Sequence, residues 1–211
     1  LRLAMRCAVV APDLAKQHVV AACSNKYGLL KNTDIEVKDA NTRNPQALIC
    51  RDYNDCCISA NYETILKGYN DPRLEATCQG VGWGGKGDIY TQSGSPAGLV
   101  GEIKGIRNGL VVDGSSYKMY SIIKCPASGG PYSTDVPMPI MSRAESSFLQ
   151  AEAALRGWIS GDAQSFYEEG IRNSFAKYGL NAAEYINGET TQIDYVDPHN
   201  SANNIAAVND V

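Results

Sequence analysis

The stretch "FLQAEAALRGWISGDAQSFYEEG", residues 148–170, decides the fold. Just before it, Ser142-Arg143-Ala144-Glu145 has the spacing of a capping box, in which the serine accepts from the N3 amide and the glutamate reaches back to the cap. A helix is expected to follow, with Ala144, Phe148, Ala151 and Leu155 along one side and Glu152 and Arg156 as an i,i+4 ion pair on the other. Gly157 to Gly161 forms a corner, and Asp162 caps a second helix. The expected inner face of that helix is Ala163, Phe166, Tyr167, Gly170, Ile171, Ser174 and Tyr178, and Gly179 is its stop. So short a corner between helices of this length requires an antiparallel hairpin. Small residues facing bulky rings let the two rods approach closely, as in tetratricopeptide-type units.

Working outward, the first thirty residues read as two more helices. Ala11-Pro12-Asp13 ends one and starts the next, because proline suits a first helical turn and Asp13 complements the dipole. Leu14, Ala15, His18, Val19 and Ala22 fall on one face, with His18 expected to be partly buried and hydrogen-bonded, and Gly28 is the expected stop. "LRLAMRCAVV" begins without an initiator methionine and in helical register, so the chain reads as an internal fragment. Residues 29–58 carry no clear pattern. Ser59 then caps "ANYETILK", ended by Gly68, and Pro72 makes "YNDPRLEA" a turn or an extended connection.

The character changes at Gly80. Eleven of the 20 glycines lie between Gly80 and Gly114, a density that excludes long helices there. This segment, with "CPASGGPYSTDVPMP" after it, reads as loops and short strands such as "YKMYSII". Ordered loops of that length are where function concentrates. The class is therefore mainly α: tetratricopeptide-like hairpins with a long glycine-rich, loop-rich insertion and a few short strands. The divisions are a helical part (1–75), a loop-rich ligand or partner region (76–140) and a helical hairpin with its following segment (141–211), all within one domain.

Charge and motifs narrow the function. The net charge is −4, and no basic stripe tracks phosphates, which argues against nucleic acid. "GVGWGGKG", Gly80–Gly87, approaches a phosphate-binding loop but lacks the Ser or Thr that would hold magnesium. The cysteines (Cys7, Cys23, Cys50, Cys56, Cys57, Cys78 and Cys125) form no C-x-x-C pair and have only His18 and His199 as possible co-ligands, so free thiols are expected and no metal or cofactor. H-E-x-x-H and G-x-S-x-G are absent as strings, which lowers an enzyme without excluding one. What remains is Trp83 among glycines, with Tyr90, Arg107 and Asn108 near it in sequence. An indole or phenol covers the C–H face of a sugar while guanidinium and amide groups bond the hydroxyls at its rim. The same indole would also serve simply to anchor a long loop on the helices.

"LRLAMR", "SANYETILKGYNDPRL", "GIRNG" and, above all, "MPIMSRAESSFLQAEAALRGWISGDAQSFYEEGIRNSFAKYGL" resemble the SusD/RagB family of outer-membrane nutrient-binding lipoproteins of Bacteroidetes. The resemblance spans nearly the whole chain. It is most specific between Met138 and Leu180, in E-x-x-F-x-x-A-E-A-A-x-R-G-W and the following G-I-R-x-S. It implies a helical scaffold carrying a loop-rich ligand face and no catalytic activity. It also implies a SusC-like TonB-dependent transporter as partner, to which oligosaccharides or, in some relatives, oligopeptides are delivered at the cell surface. The family is usually more than twice this long, so its lipid-anchored cysteine and part of its binding surface are expected to lie outside this fragment.

Three rivals remain distinguishable. A peptide binder would use backbone-directed Asn and Gln and fewer stacking rings. A scaffold for proteins alone would present a flat face without a ring-lined pocket. A glycosidase would need two carboxyl groups about 5–9 Å apart in a cleft.

Overall fold

The computed structural model describes residues 1–37, 56–82, 95, 97–110, 119–124, 137–188, 194–197 and 201–204. The chain divides into two compact units, one of Leu1–Val37 with Pro139–Asn187 and one of Lys38–Met138 with Gly188–Val211.

The first unit is helical. Helices α1 (Arg2–Arg6) and α2 (Pro12–Cys23) open it, a short strand β1 (Ile35–Val37) follows, and its later part continues from strand β4 (Met138–Met141), the neighbour of β1, into α5 (Arg143–Leu155), α6 (Ala163–Ala176) and α7 (Ala183–Ile186). α5 and α6 are the hairpin expected from the sequence. Ser142 Oγ accepts from the Glu145 amide at 3.1 Å, and Asp162 Oδ2 accepts from the Ser165 amide at 2.8 Å, so both starts are capped as the sequence reading had them. The return half of the capping box is different. Glu145 turns its carboxylate to Arg2, while the Arg143 amide donates to Asp34 Oδ1 at 2.8 Å. A full guanidinium charge competes better for a carboxylate than one backbone amide does.

α5 is covered on two sides. Toward α6 it presents Phe148, whose ring lies against Gly170 so closely that a Cβ there would stand 2.5 Å away, and Ser147, which accepts from Asn173 at 3.3 Å. Toward α1 and α2 it presents Ala153 and Leu149, packed with Met5 and Val19. Phe175, fully buried, joins Ile171 and Ala182 and stacks at a tilt on Tyr185, their centroids 4.9 Å apart.

Several expected faces were drawn too wide. Leu14, His18, Leu155 and Tyr178 are exposed, so His18 is not the partly buried histidine that its face suggested. α2 is covered only along Ala15 and Val19, a stripe narrower than its apolar sequence. One stop also moved: α2 ends at Cys23 rather than before Gly28, whereas the helix begun after Ser59 ends at Gly68 as expected.

The second unit holds α3 (Ala60–Gly68), α4 (Arg73–Thr77), strands β2 (Cys78–Gln79) and β3 (Ile122–Ile123), and 3-10 turns at Ala97–Leu99 and Ser201–Asn203. Ser59 Oγ caps α3 by accepting from Tyr62 at 3.1 Å. Of the turn or extended connection expected over "YNDPRLEA", the turn is present at residues 69–72, but it leads directly into α4, with Pro72 at the cap, where a missing N–H costs nothing. β2 and β3 are antiparallel, Cys78 opposite Ile123 and Gln79 opposite Ile122. Ile58, Leu66, Leu74 and Cys78 form the core, with Ile103 and Ile123 against it. The described part of the glycine-rich segment contains no helix beyond the 3-10 turn at Ala97–Leu99. Among the described residues no helix is long and apolar enough to cross a membrane.

Candidate functional site

The described glycine-rich segment becomes ordered where it threads between two other strands of chain. Val81 donates to the Glu102 carbonyl at 2.8 Å, Ser121 to Lys104 at 2.7 Å, Ile106 to Ile58 at 2.8 Å, and Ala60 to Ile106 at 2.8 Å. Gly105 sits at the tightest point. A Cβ there would lie 2.3 Å from the Ser59 carbonyl oxygen, so the close approach of the two backbones requires glycine.

Both polar groups of Gly105 are held by buried side chains. Its amide donates to Glu63 Oε2 at 2.6 Å, and its carbonyl accepts from the Tyr195 hydroxyl at 2.6 Å. Glu63 lies on α3 and is 3% exposed, which would be costly for an unpaired carboxylate. Its other oxygen receives Lys67 at 2.6 Å and Lys104 at 3.5 Å, and Lys67 also donates to the Ile103 carbonyl at 2.9 Å. The Tyr195 hydroxyl lies 3.4 Å from Asp197 Oδ2, and Tyr120 donates to Asp197 Oδ1 at 3.1 Å. Burial, and then the Asp197 charge, push both phenols well above the ordinary tyrosine range, so they remain protonated donors.

Beyond this clamp the chain turns outward. Arg107 and Asn108 are exposed, and Gly109, at φ +81°, closes the turn. Among the described residues no hydrogen bond engages either side chain. The guanidinium therefore offers five donors, and the amide two donors and an acceptor, on a main chain that is already fixed. Trp83 and Tyr90, the two rings expected to line a sugar site, lie outside the described residues.

The sequence reading named Arg107 and Asn108 but none of the residues that hold their turn. Glu63 and Lys67 could have been picked out as an i,i+4 pair on α3, whereas Tyr195 and Asp197 come from a short segment with no pattern of its own. Among the described residues, Cys7, Cys23, Cys57 and Cys78 are free thiols, and no group of three or more His, Cys, Asp and Glu is placed to hold a metal. Burial pushes the Cys57 thiol up to about 11, and Cys78 is raised by the same cause, so neither is a ready nucleophile.

A family model described as SusD-like, Susd and RagB outer membrane lipoprotein, matches residues 1–211. The chain belongs to the SusD/RagB family. Solved structures agree with this SusD-like assignment. A SusD homolog from Bacteroides vulgatus aligns with a TM-score of 0.77 and 26% identity, over 93% of this chain and 38% of its own. A SusD-like protein from Bacteroides thetaiotaomicron aligns with a TM-score of 0.75 and 28% identity, over 96% and 40%. A protein described as chitin-binding gives a TM-score of 0.66 and 25% identity, over 90% and 42%. The SusD-like chain thus spans between 38% and 42% of the length of these three structures. The comparison with curated proteins found no match.

Proposed function

We propose that this chain is part of a non-catalytic glycan-binding protein of the SusD type, which captures oligosaccharides at the cell surface. It passes them to a SusC-like TonB-dependent transporter and is held to the outer membrane by a lipidated cysteine outside these residues. The observation that supports this reading most is the Arg107–Asn108 turn: polar groups that suit sugar hydroxyls stand exposed on backbone that a buried network has already ordered. Ordering such a turn in advance removes an entropic cost from binding. The family membership and the relative described as chitin-binding support the ligand class. Trp83 and Tyr90 are proposed as the stacking rings that complete the site.

A glycan array followed by calorimetry on the best ligand tests this reading, with chitin oligosaccharides included among the sugars. Removing both Arg107 and Asn108 side chains by alanine deletes about two net hydrogen bonds of roughly 1 kcal/mol each, so affinity should fall by about tenfold or more. Unchanged affinity in the double variant would remove the turn from the site. Saturable binding to a peptide library, with none to glycans, would replace the sugar by a peptide.

A further inference from the structure

The clamp beneath the turn has more parts than are needed to fill a core, and their arrangement suggests a division of labour. Glu63 ties two segments by three contacts: its own helix through Lys67, and the 103–105 stretch through the Lys104 side chain and the Gly105 amide. Tyr195 grips the same glycine from its carbonyl side. Two residues further on, Arg107 and Asn108 are exposed and make no side-chain hydrogen bond among the described residues. The direction in which those two point is therefore set at Gly105, where an acceptor and a donor fix the peptide planes on both sides of the Cα. A hydrophobic residue at position 63 would fill the same space and leave the Gly105 N–H without a partner.

We propose that Glu63 and Tyr195 are positioning residues for the Arg107–Asn108 turn, and that Glu63 acts through its hydrogen bond to the Gly105 amide rather than through its charge. The proposal rests on the reading of that turn as a ligand contact, but its structural half can be tested without any ligand. Glutamine at position 63 keeps an oxygen for the Gly105 amide and gives up the charge shared with Lys67 and Lys104. Alanine gives up both.

Hydrogen exchange of the 103–110 segment and calorimetry with the ligand selected by the array are to be measured on the wild type, Glu63→Gln, Glu63→Ala and Tyr195→Phe. Glu63→Ala and Tyr195→Phe should each raise exchange at the Gly105 and Ile106 amides by tenfold or more and weaken ligand binding to a similar degree. Glu63→Gln should stay within about threefold of wild type in both readouts. Glu63→Gln behaving like Glu63→Ala would overturn the assignment, since charge would then be the working element. Normal exchange in Glu63→Ala and Tyr195→Phe would overturn it as well. If Glu63→Ala does not fold, the contrast between Glu63→Gln and Tyr195→Phe decides. Exchange that responds as stated while Arg107→Ala leaves affinity untouched would instead retire the ligand role of the turn and keep the clamp.

Discussion

Ser146 and Ser147 are neighbours on α5, both buried, and their hydroxyls live differently. Ser147 Oγ donates to the Arg143 carbonyl at 3.2 Å and accepts from Asn173 at 3.3 Å, whereas among the described residues nothing bonds the Ser146 hydroxyl. A buried hydroxyl without a partner costs desolvation, and alanine is the better helix former by about 0.5 kcal/mol. Ser146→Ala should therefore raise stability by up to about 1 kcal/mol, while Ser147→Ala, which cuts a tie to α6, should come out less stable than Ser146→Ala by roughly 1 kcal/mol. Urea midpoints of the two variants check the order, and the reverse order would mean that Ser146 has a partner after all. Neither serine stands out in the sequence, because periodicity reports which positions face inward and not what waits for them. The same limit explains Leu155, placed inside by its spacing yet 80% exposed at the helix end, and Phe175, left off the expected face yet fully buried because α7 folds back over it.

Three helices stop in one way. After α3, α5 and α6, a residue in left-handed conformation (Asn70, Gly157 and Gly179) sends its own amide and the next one back into the last turn: Asp71 to Leu66 at 2.8 Å, Trp158 to Ala153 at 2.9 Å, Leu180 to Phe175 at 3.1 Å. This is the Schellman arrangement, and two of its left-handed residues were legible as glycines whereas Asn70, two residues past the Gly68 end of α3, was not: asparagine tolerates the same backbone and gives no comparable signal. At the opposite end, the Asp162 cap carries a pH signature. Its bonds to the Ser165 hydroxyl and amide hold its carboxyl below the usual range, and Glu168 is likewise lowered by Gln164 and Arg172. A depressed folded-state value means that the stabilisation is present above the unfolded value, near 4, and is lost as pH falls through the folded one. Asp162→Asn keeps the capping oxygen without the charge, so its melting temperature should decline less steeply than that of the wild type below about pH 4. Parallel curves for the two proteins would show that the carboxylate charge contributes nothing to the cap.

At the scale of the whole chain, the first unit is assembled from two widely separated stretches, as the pairing of Arg2 with Glu145 and the packing of Met5 and Val19 on Ala153 demonstrate. The hairpin is thus not self-sufficient. Met5→Ala, made far from α5 in sequence, should cost about 2–4 kcal/mol, and loss of protection should appear in the 143–155 amides as well as in α1. Protection lost in α1 alone would show that the hairpin stands without that cover. The sequence made the helical class and the hairpin readable because capping residues and helical periodicity are local. The second unit was far less legible, since its order comes from Gly105 threaded between residues 58–60 and 119–121 and pinned by Tyr195, partners that no window of sequence contains.

The open hands of Arg107 and Asn108 carry a last consequence. Everything that secures their turn is main chain or lies behind it, so exchanging these two side chains costs the frame almost nothing. On the proposed reading of this turn as a ligand contact, positions 107 and 108 are the ones that can change with the ligand without renegotiating the fold. A randomised pair at this tip would be the natural starting point for retargeting it.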